Sequence, residues 1–425
     1  MTIEVEAPKD GFRLRQLIFD TRYRSYTIQF IVLLLVFAAL LWLVNNTIQN
    51  LADRDKDINF SFLFNRAGYD IGQQLIPYTN DSTHMRALFV GLLNTLVVAF
   101  FGCIFATVLG VTVGILRLSK NWLVARLMTV YIEVFRNVPL LLWIILTFVI
   151  LSETQPAPSD FRLTEAMSAA GEAPAASMIL WDSVSITNRG TDIPAPLLYR
   201  PLGGFEILGV PINFSVLVAI AVIIGSVKVN RIFLARVRAV QEATGYRPTT
   251  WWKSLLILFV PFILLLFALG LHLEYPSLKG FNFQGGIFVG HSFSALVLAL
   301  TVYSATYIAE AVRAGILAIS RGQSEAAFAL GLRPNRTMNL VILPQALRVI
   351  IPPMISQYLN ITKNTTLGMA ISYLDLKGTL GGITLNQTGR ELECMLLMMM
   401  IYLTISLMIS SMMNVYNRSV KLKER

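Results

Sequence analysis

Apolar residues come in long blocks, separated by shorter polar and often basic stretches. A membrane-crossing helix needs about 20 mostly apolar residues, and eight blocks qualify: 27–44, 88–116, 127–151, 212–230, 254–272, 291–313, 350–370 and 394–414. The third is the least uniform, because Glu133 and Arg136 fall in its first half at a spacing where they can pair on one helix face. Between the third and fourth blocks, residues 152–211 contain SETQPAPSD, GEAPAAS and TDIPAPLLYRPLGG. Such proline and glycine density excludes long helices and predicts an irregular excursion with short strands. It serves either as a docking surface or as a shield over the span ends. Residues 228–242, KVNRIFLARVRAVQE, set Ile232, Phe233, Val237 and Val240 opposite Arg231, Arg236 and Arg238 at near-helical spacing. That pattern predicts an interfacial helix continuing the fourth span, or a contact for a partner.

Loop charge sets the expected orientation. Lys9, Arg13, Arg15, Arg22 and Arg24 precede the first span; Arg117, Lys120 and Arg126 follow the second; Lys228, Arg231, Arg236, Arg238, Arg247 and Lys253 lie between the fourth and fifth. The alternate loops are acidic or mixed. Positive-inside bias therefore places both termini in the cytoplasm, which requires an even number of spans. The first apolar run ends in LLWLVNNTIQN with no small-residue cleavage site, so it reads as a retained span.

Composition agrees: the 425 residues are 55% hydrophobic and only 14% charged, against about 25% charged in a soluble domain. The net charge of +10 belongs to membrane loops and not to a nucleic-acid groove, since no soluble domain is present to hold one. Cys103 and Cys394 sit inside apolar runs and have neither disulfide nor metal-ligand spacing. His84, His272 and His291 lie near the outer ends of spans and none is paired at i,i+4. Neither GxSxG nor HExxH occurs, so nucleophilic and zinc chemistry are excluded, and no cofactor or metal site is expected. The stretch GGIFVGHS at 285–292 has phosphate-loop glycine spacing but histidine where the lysine belongs, and it reads as a flexible turn entering the sixth span. In GVTVG, Gly110 and Gly114 permit close helix approach, within the chain or between two copies.

Polar groups inside apolar runs mark bundle interiors or watery cavities. Glu310 and Arg313 lie one turn apart and are expected to pair. Lys363 sits mid-span in QYLNITKNTTLGMAIS beside Asn360, Thr362, Asn364, Thr365 and Thr366. With Asn94, Thr95, Tyr303, Ser304, Thr306 and Tyr307, this cluster either lines a translocation path or joins helices together.

One segment fits neither span nor loop: EAAFALGLRPNRTMNLVILPQALR at 325–348, within the cytoplasmic stretch 314–349. Ile319, Ala326, Ala327 and Leu330 share one face of a first helix, with Glu325 beside them. Gly331 suits a left-handed helix end and Pro334 a new first turn. Met338, Val341 and Ile342 give the second helix an apolar face, and Pro344 is expected to stop it before IIPPM. Physically, this two-helix knob either packs under its own spans or docks elsewhere.

The order Glu325-Ala326-Ala327, Gly331, then Ile342-Leu343-Pro344 resembles the EAA coupling loop of ATP-binding-cassette importer permeases. The stretches GLLNTLVVAFFGCIFATVLGVTVGILRLS, YIEVFRNVPLLLWI and YLNITKNTTLGMAISYLDL are similar to segments of the polar-amino-acid (HisMQ) branch, and the resemblance covers about 88–414. The first span and the 152–211 excursion are most similar to the longer general L-amino-acid permeases of the AapQ or BztB type. The resemblance implies an all-α polytopic membrane protein with a type I importer core. Its parts would be a cytoplasmic N-terminus at 1–26, a first span and outer loop at 27–87, a permease domain at 88–414 and a cytoplasmic tail at 415–425. It also implies a bacterial inner-membrane location and import of L-amino acids over a broad range. The implied partners are a homologous second permease, two cytoplasmic ATPase subunits and a periplasmic binding protein. ATP hydrolysis would belong to those separate subunits, and Glu325, Ala326, Ala327, Leu330, Gly331 and Pro344 would couple to them. An ion-gradient carrier would need membrane carboxylates, and the span interiors offer little beyond Glu133 and Glu310. A structural subunit of a membrane complex is the third class.

Overall fold

A computed structural model describes residues 21–53, 57–163, 173–207, 210–246 and 248–420. Residues 1–20 of the expected N-terminal segment, residues 164–172 of the excursion, Arg247 and residues 421–425 of the expected tail lie outside the described residues. Two units are present, one ending at Phe60 and the other beginning at Ser61. The first unit contains helix α1, Thr21–Ala52, which is apolar over most of its length.

The second unit starts its helices with α2, His84–Arg117. Thr83 caps it by accepting a bond from the Arg86 backbone N–H at 3.3 Å, satisfying one of the donors that a helix start leaves free. Then come α3, Trp122–Asn137, and α4, Leu140–Glu153. The sequence pattern treats these two as one span at 127–151, but the structure breaks it with a 102° bend. The cause is Pro139, which has no N–H to donate and holds Val138 in an extended conformation (φ −99°, ψ 135°). The described helices thus give seven apolar spans, or eight with the bent pair taken as one.

The excursion does not close at residue 211. Its strands are β1 Ser185–Thr187, β2 Gly190–Ile193, β3 Ala195–Leu198, β4 Gly204–Ile207 and β5 Val210–Asn213. Two long helices follow, α5 Phe214–Thr244 and α6 Trp251–Ala268, and then β6 Leu271–Glu274, β7 Ser277–Lys279, β8 Asn282–Gln284 and β9 Ile287–Gly290. Pairing runs from one side of the helical hairpin to the other: β2 lies antiparallel to β9, with Gly190 opposite Gly290, and β3 to β6, with Ala195 opposite Glu274. The entire stretch from β1 to β9 is therefore one insertion closed at its base, and α5 and α6 pack against each other. This corrects the reading of 285–292, where Ile287–Gly290 is a paired strand and not a flexible turn. The helix expected at 228–242 is the continuous second half of α5, which ends where Gly245 turns left-handed at φ 70°.

The core is completed by α7 His291–Leu317, the short helix α8 Arg321–Ala329, α9 Leu343–Asn364 and α10 Glu391–Val420. The α2–α7 pair is its centre, and α4 and α9 pack on α7. A β-carbon on Gly110 would lie 2.6 Å from the Ile308 Cβ and 2.9 Å from the Ala305 carbonyl; one on Gly114 would lie 2.8 Å from the Ala309 carbonyl. The small-residue stripe of GVTVG is thus spent on packing inside the chain. Ala106, Ile308, Val312, Ala346, Ile350 and Ile361 fill the layer below it.

Candidate functional site

The candidate coupling element is built from α8 and the turn after it. Leu332 N–H bonds the Ala327 carbonyl at 3.1 Å and Gly331 N–H bonds the Phe328 carbonyl at 2.9 Å, the paired closure that ends a helix on a left-handed residue. That residue is Gly331, at φ 76°, with open space where a β-carbon would stand. Its glycine is required by backbone conformation and not by crowding. Ala327 and Thr337 are buried on the inner side, while Glu325, Ala326, Phe328 and Leu330 are exposed, Leu330 at 81%. Sequence reasoning put Leu330 on the same face as Ala327; the structure turns it outward, because Leu330 is the residue after the last helical turn.

Pro334 opens the next helical turn, Pro334–Thr337, as expected. Pro344 does not stop the helix. A π-helical turn at Met338–Ile342 leads without a break into α9, and this widened turn directly before Pro344 accommodates a residue with no N–H to donate. The second piece of the knob is therefore the lower end of a span. Gln345 Nε2 donates to Gln323 Oε1 at 3.3 Å, tying α9 back to α8. Above it, Glu310 accepts from Arg313 Nε at 3.2 Å, the expected pair, and also from Arg117 of α2, which the sequence spacing did not reveal. The other expected pair is absent: Glu133 accepts from Asn137 at 3.1 Å, and the Arg136 guanidinium stands 5.1 Å from the centre of the Tyr307 ring.

Among the polar residues singled out within spans, the structure makes two groups. Asn94, Thr95, Thr306 and Thr365 are buried and bonded within the chain. Asn94 Nδ2 donates to the Gln73 carbonyl at 2.8 Å and the Leu374 carbonyl at 2.9 Å; Thr95 Oγ1 accepts from Leu376 N–H at 3.0 Å. Thr306 donates to the Tyr303 carbonyl at 2.6 Å. Thr365 donates to Asp375 Oδ2 at 3.1 Å, an acceptor it shares with the Tyr402 hydroxyl at 3.2 Å. Lys363 instead is exposed, with Asn364, Tyr303 and Tyr307 half-buried. Asp375 was missed by sequence reasoning. Its signal is a carboxylate set between leucines in YLDL, and one side chain ties Thr365, which follows α9, to Tyr402 of α10.

At the opposite end of α7 from α8, a cavity of about 290 Å³ is lined by Gln73, Asn188, Arg189, His291, Ser372 and Tyr373, among others. His291 Nε2 donates to the Thr187 carbonyl at 2.6 Å, and Gly290 N–H bonds Gln73 Oε1 at 3.3 Å. Ser372 holds a left-handed conformation at φ 57°. In the adjoining β1–β2 pair, Ser185 donates to Asp192 Oδ2 at 3.1 Å. Burial pushes the Asp192 carboxyl above its ordinary range, and the serine bond opposes that rise. A 27-residue α7 spans about 40 Å, so one rigid helix connects this cavity with the end of the core that carries α8.

Residues 218–422 match the family model described as the binding-protein-dependent transport system inner membrane component. The chain is 64% identical, over 100% of both sequences, to the glutamate/glutamine/aspartate/asparagine transport system permease protein BztB of Rhodobacter capsulatus. It is 39% identical to the general L-amino acid transport system permease protein AapQ of Rhizobium johnstonii, covering 98% of this chain and 96% of that one. It is 41% identical to the putative amino-acid ABC transporter permease protein YhdX of Escherichia coli, covering 95% of each. A helical core, a glycine-terminated short helix at its end and full-length identity at this level agree: the chain belongs to the amino-acid ABC transporter permeases of the AapQ/BztB type.

Proposed function

We propose that this chain is one of two permease subunits of an inner-membrane importer for glutamate, aspartate and their amides, with a broader L-amino-acid range open to it. Its proposed partners are a homologous permease, two cytoplasmic ATPase subunits and an extracytoplasmic binding protein; hydrolysis resides in the ATPase subunits. The observation that carries this reading is the outward display of Glu325, Phe328 and Leu330 next to Gly331. A short helical knob at the end of a span, with Phe328 and Leu330 turned outward, is shaped to seat in a groove of another subunit. Loop charge supports a cytoplasmic position for the knob and an outer position for the stretches before α5 and after α6 that carry strands β1–β9. Lys363, Asn364 and Tyr303 line the path in this reading, since an exposed lysine at membrane depth needs water or a polar partner beside it. Nucleotide-driven movement of the knob is passed along α7 to the outer cavity, so that ATP and substrate sites bias one conformational equilibrium.

The test is reconstitution of the chain with its co-expressed subunits in liposomes. Amino-acid uptake and ATP hydrolysis are expected to depend on each other and on the binding protein. Uptake driven by an ion gradient without hydrolysis would overturn the proposal.

A further inference from the structure

The insertion carries a feature that transport chemistry leaves unexplained. Leu180, Trp181 and Asp182 are three consecutive non-glycine residues in the left-handed region, at φ 53°, 56° and 57°. Each such residue costs about 1–2 kcal/mol, and strain of this kind persists only where neighbouring bonds impose it. Here a clamp closes beneath the turn: Ile179 N–H bonds the Val184 carbonyl at 2.9 Å, Val184 N–H returns to Ile179 at 3.2 Å, and the Ser183 hydroxyl donates to the Leu180 carbonyl. The product is a tryptophan held out from the surface, Trp181 at 97% exposure with Leu180 at 63%.

A second aromatic tip stands nearby. Phe281, 86% exposed, caps the β7–β8 hairpin beside Gly280. The two tips share a base: a cavity of about 240 Å³ is lined by Met178 and Asp182 from the first and by Leu278 and Phe283 from the second. Two cations hold the hairpin tip in place. The Arg162 guanidinium lies 5.8 Å from the Phe281 ring centre and donates to the Gly280 carbonyl; Arg189 Nη1 donates to the Phe281 carbonyl at 3.4 Å. Arg189 also lines the outer cavity at the start of α7.

We infer that Trp181 and Phe281 form the docking knob for the extracytoplasmic binding protein, and that Arg189 links the occupied knob to the mouth of the path. Exposed aromatics beside arginines are the residue types that dominate protein interfaces. The flanking Arg162, Arg189 and Lys279 specify the partner's complementary face, an apolar depression rimmed by carboxylates. A lipid surface is the lesser fit, because a left-handed turn spends strain on fixing one tryptophan geometry, which a fluid bilayer does not need. This inference rests on the outer placement of the insertion given above.

The experiment uses the complete transporter in lipid nanodiscs and Trp181→Cys in intact spheroplasts. Cys103 is half-buried and Cys394 buried, so unmodified protein supplies the labelling background. A membrane-impermeant maleimide is expected to label Trp181→Cys from outside, and saturating amino-acid-loaded binding protein is expected to protect it. Labelling from the cytoplasmic side only would overturn the orientation. Outside labelling without protection would overturn the docking assignment while leaving the orientation standing. In nanodiscs, W181A/F281A is expected to raise the binding-protein concentration for half-maximal ATPase stimulation by roughly tenfold or more, with unstimulated hydrolysis unchanged. W181F restores most of the loss. A half-maximal concentration equal to that of the unmodified transporter in W181A/F281A would overturn the docking assignment.

Discussion

Gly331 and Asp192 show how much a single backbone or a single proton decides. Gly331 meets nothing within 4 Å of its missing β-carbon, yet holds φ 76°. Gly331→Val is therefore expected to insert and assemble normally with its spans, while strain of about 1–2 kcal/mol re-aims α8. Stimulated ATP hydrolysis and uptake should fall together, and normal values for both would remove Gly331 from coupling. This position was legible in the sequence, since a glycine between a helical pattern and Arg-Pro is a local signal. Asp192 was not legible, because its burial comes from β1 and β9 folding over it. Its raised folded-state pKa means that the folded chain binds more protons than the unfolded one just above the ordinary aspartate range. Stability of the sheet consequently falls as pH rises through that window and is recovered on acidification. Asp192→Asn should flatten this dependence in amide-exchange measurements on β1 and β2 as pH rises from the ordinary aspartate range.

At the level of elements, the contrast between α2 and α5 is the most direct reading of packing. Gly110→Leu forces atoms into Ile308 and the Ala305 carbonyl. Overpacking on this scale is expected to cost roughly 1–3 kcal/mol or more, lowering the thermal midpoint in detergent. Gly225 of α5, with nothing within 4 Å, is the control: Gly225→Ala should be neutral or stabilising by about 0.5–1 kcal/mol. An equal loss in both variants would contradict the packing assigned to α2 and α7. The hydropathy pattern located both helices correctly, but it weighs only how apolar a block is. It therefore carries no information on which block is interior, and it merged α3 with α4 because Pro139 lies inside an apolar run.

For the whole molecule, Asp375 is the junction to test. It accepts from Gly378 N–H, the Thr365 hydroxyl and the Tyr402 hydroxyl, and Asp375→Ala leaves those buried donors unmatched at about 1–3 kcal/mol each. The expected result is cooperative loss of the junction between the end of α9 and α10, seen as a lower and broader thermal transition. Asp375→Asn should retain part of it. Lys363→Met tests the path separately: assembly should be intact and uptake reduced, and full uptake would take Lys363 out of transport. The distinction between these two residues reverses their prominence in the sequence, where Lys363 stands out and Asp375 does not.

The sequence by itself determined the membrane character, the approximate spans, the family and the helix end at Gly331. All four depend on neighbours along the chain: apolar blocks long enough to cross a bilayer, loop charge, and a glycine and proline at fixed offsets from a helical face. Tertiary structure alone decided which polar residues are bonded inside and which are exposed, how far the insertion extends, and where its aromatic tips stand. Asn94 and Leu374 lie 280 positions apart and bond at 2.9 Å, and Gly190 meets Gly290 only after two long helices have intervened. Such pairings follow from the three-dimensional return of the chain, to which local periodicity is blind.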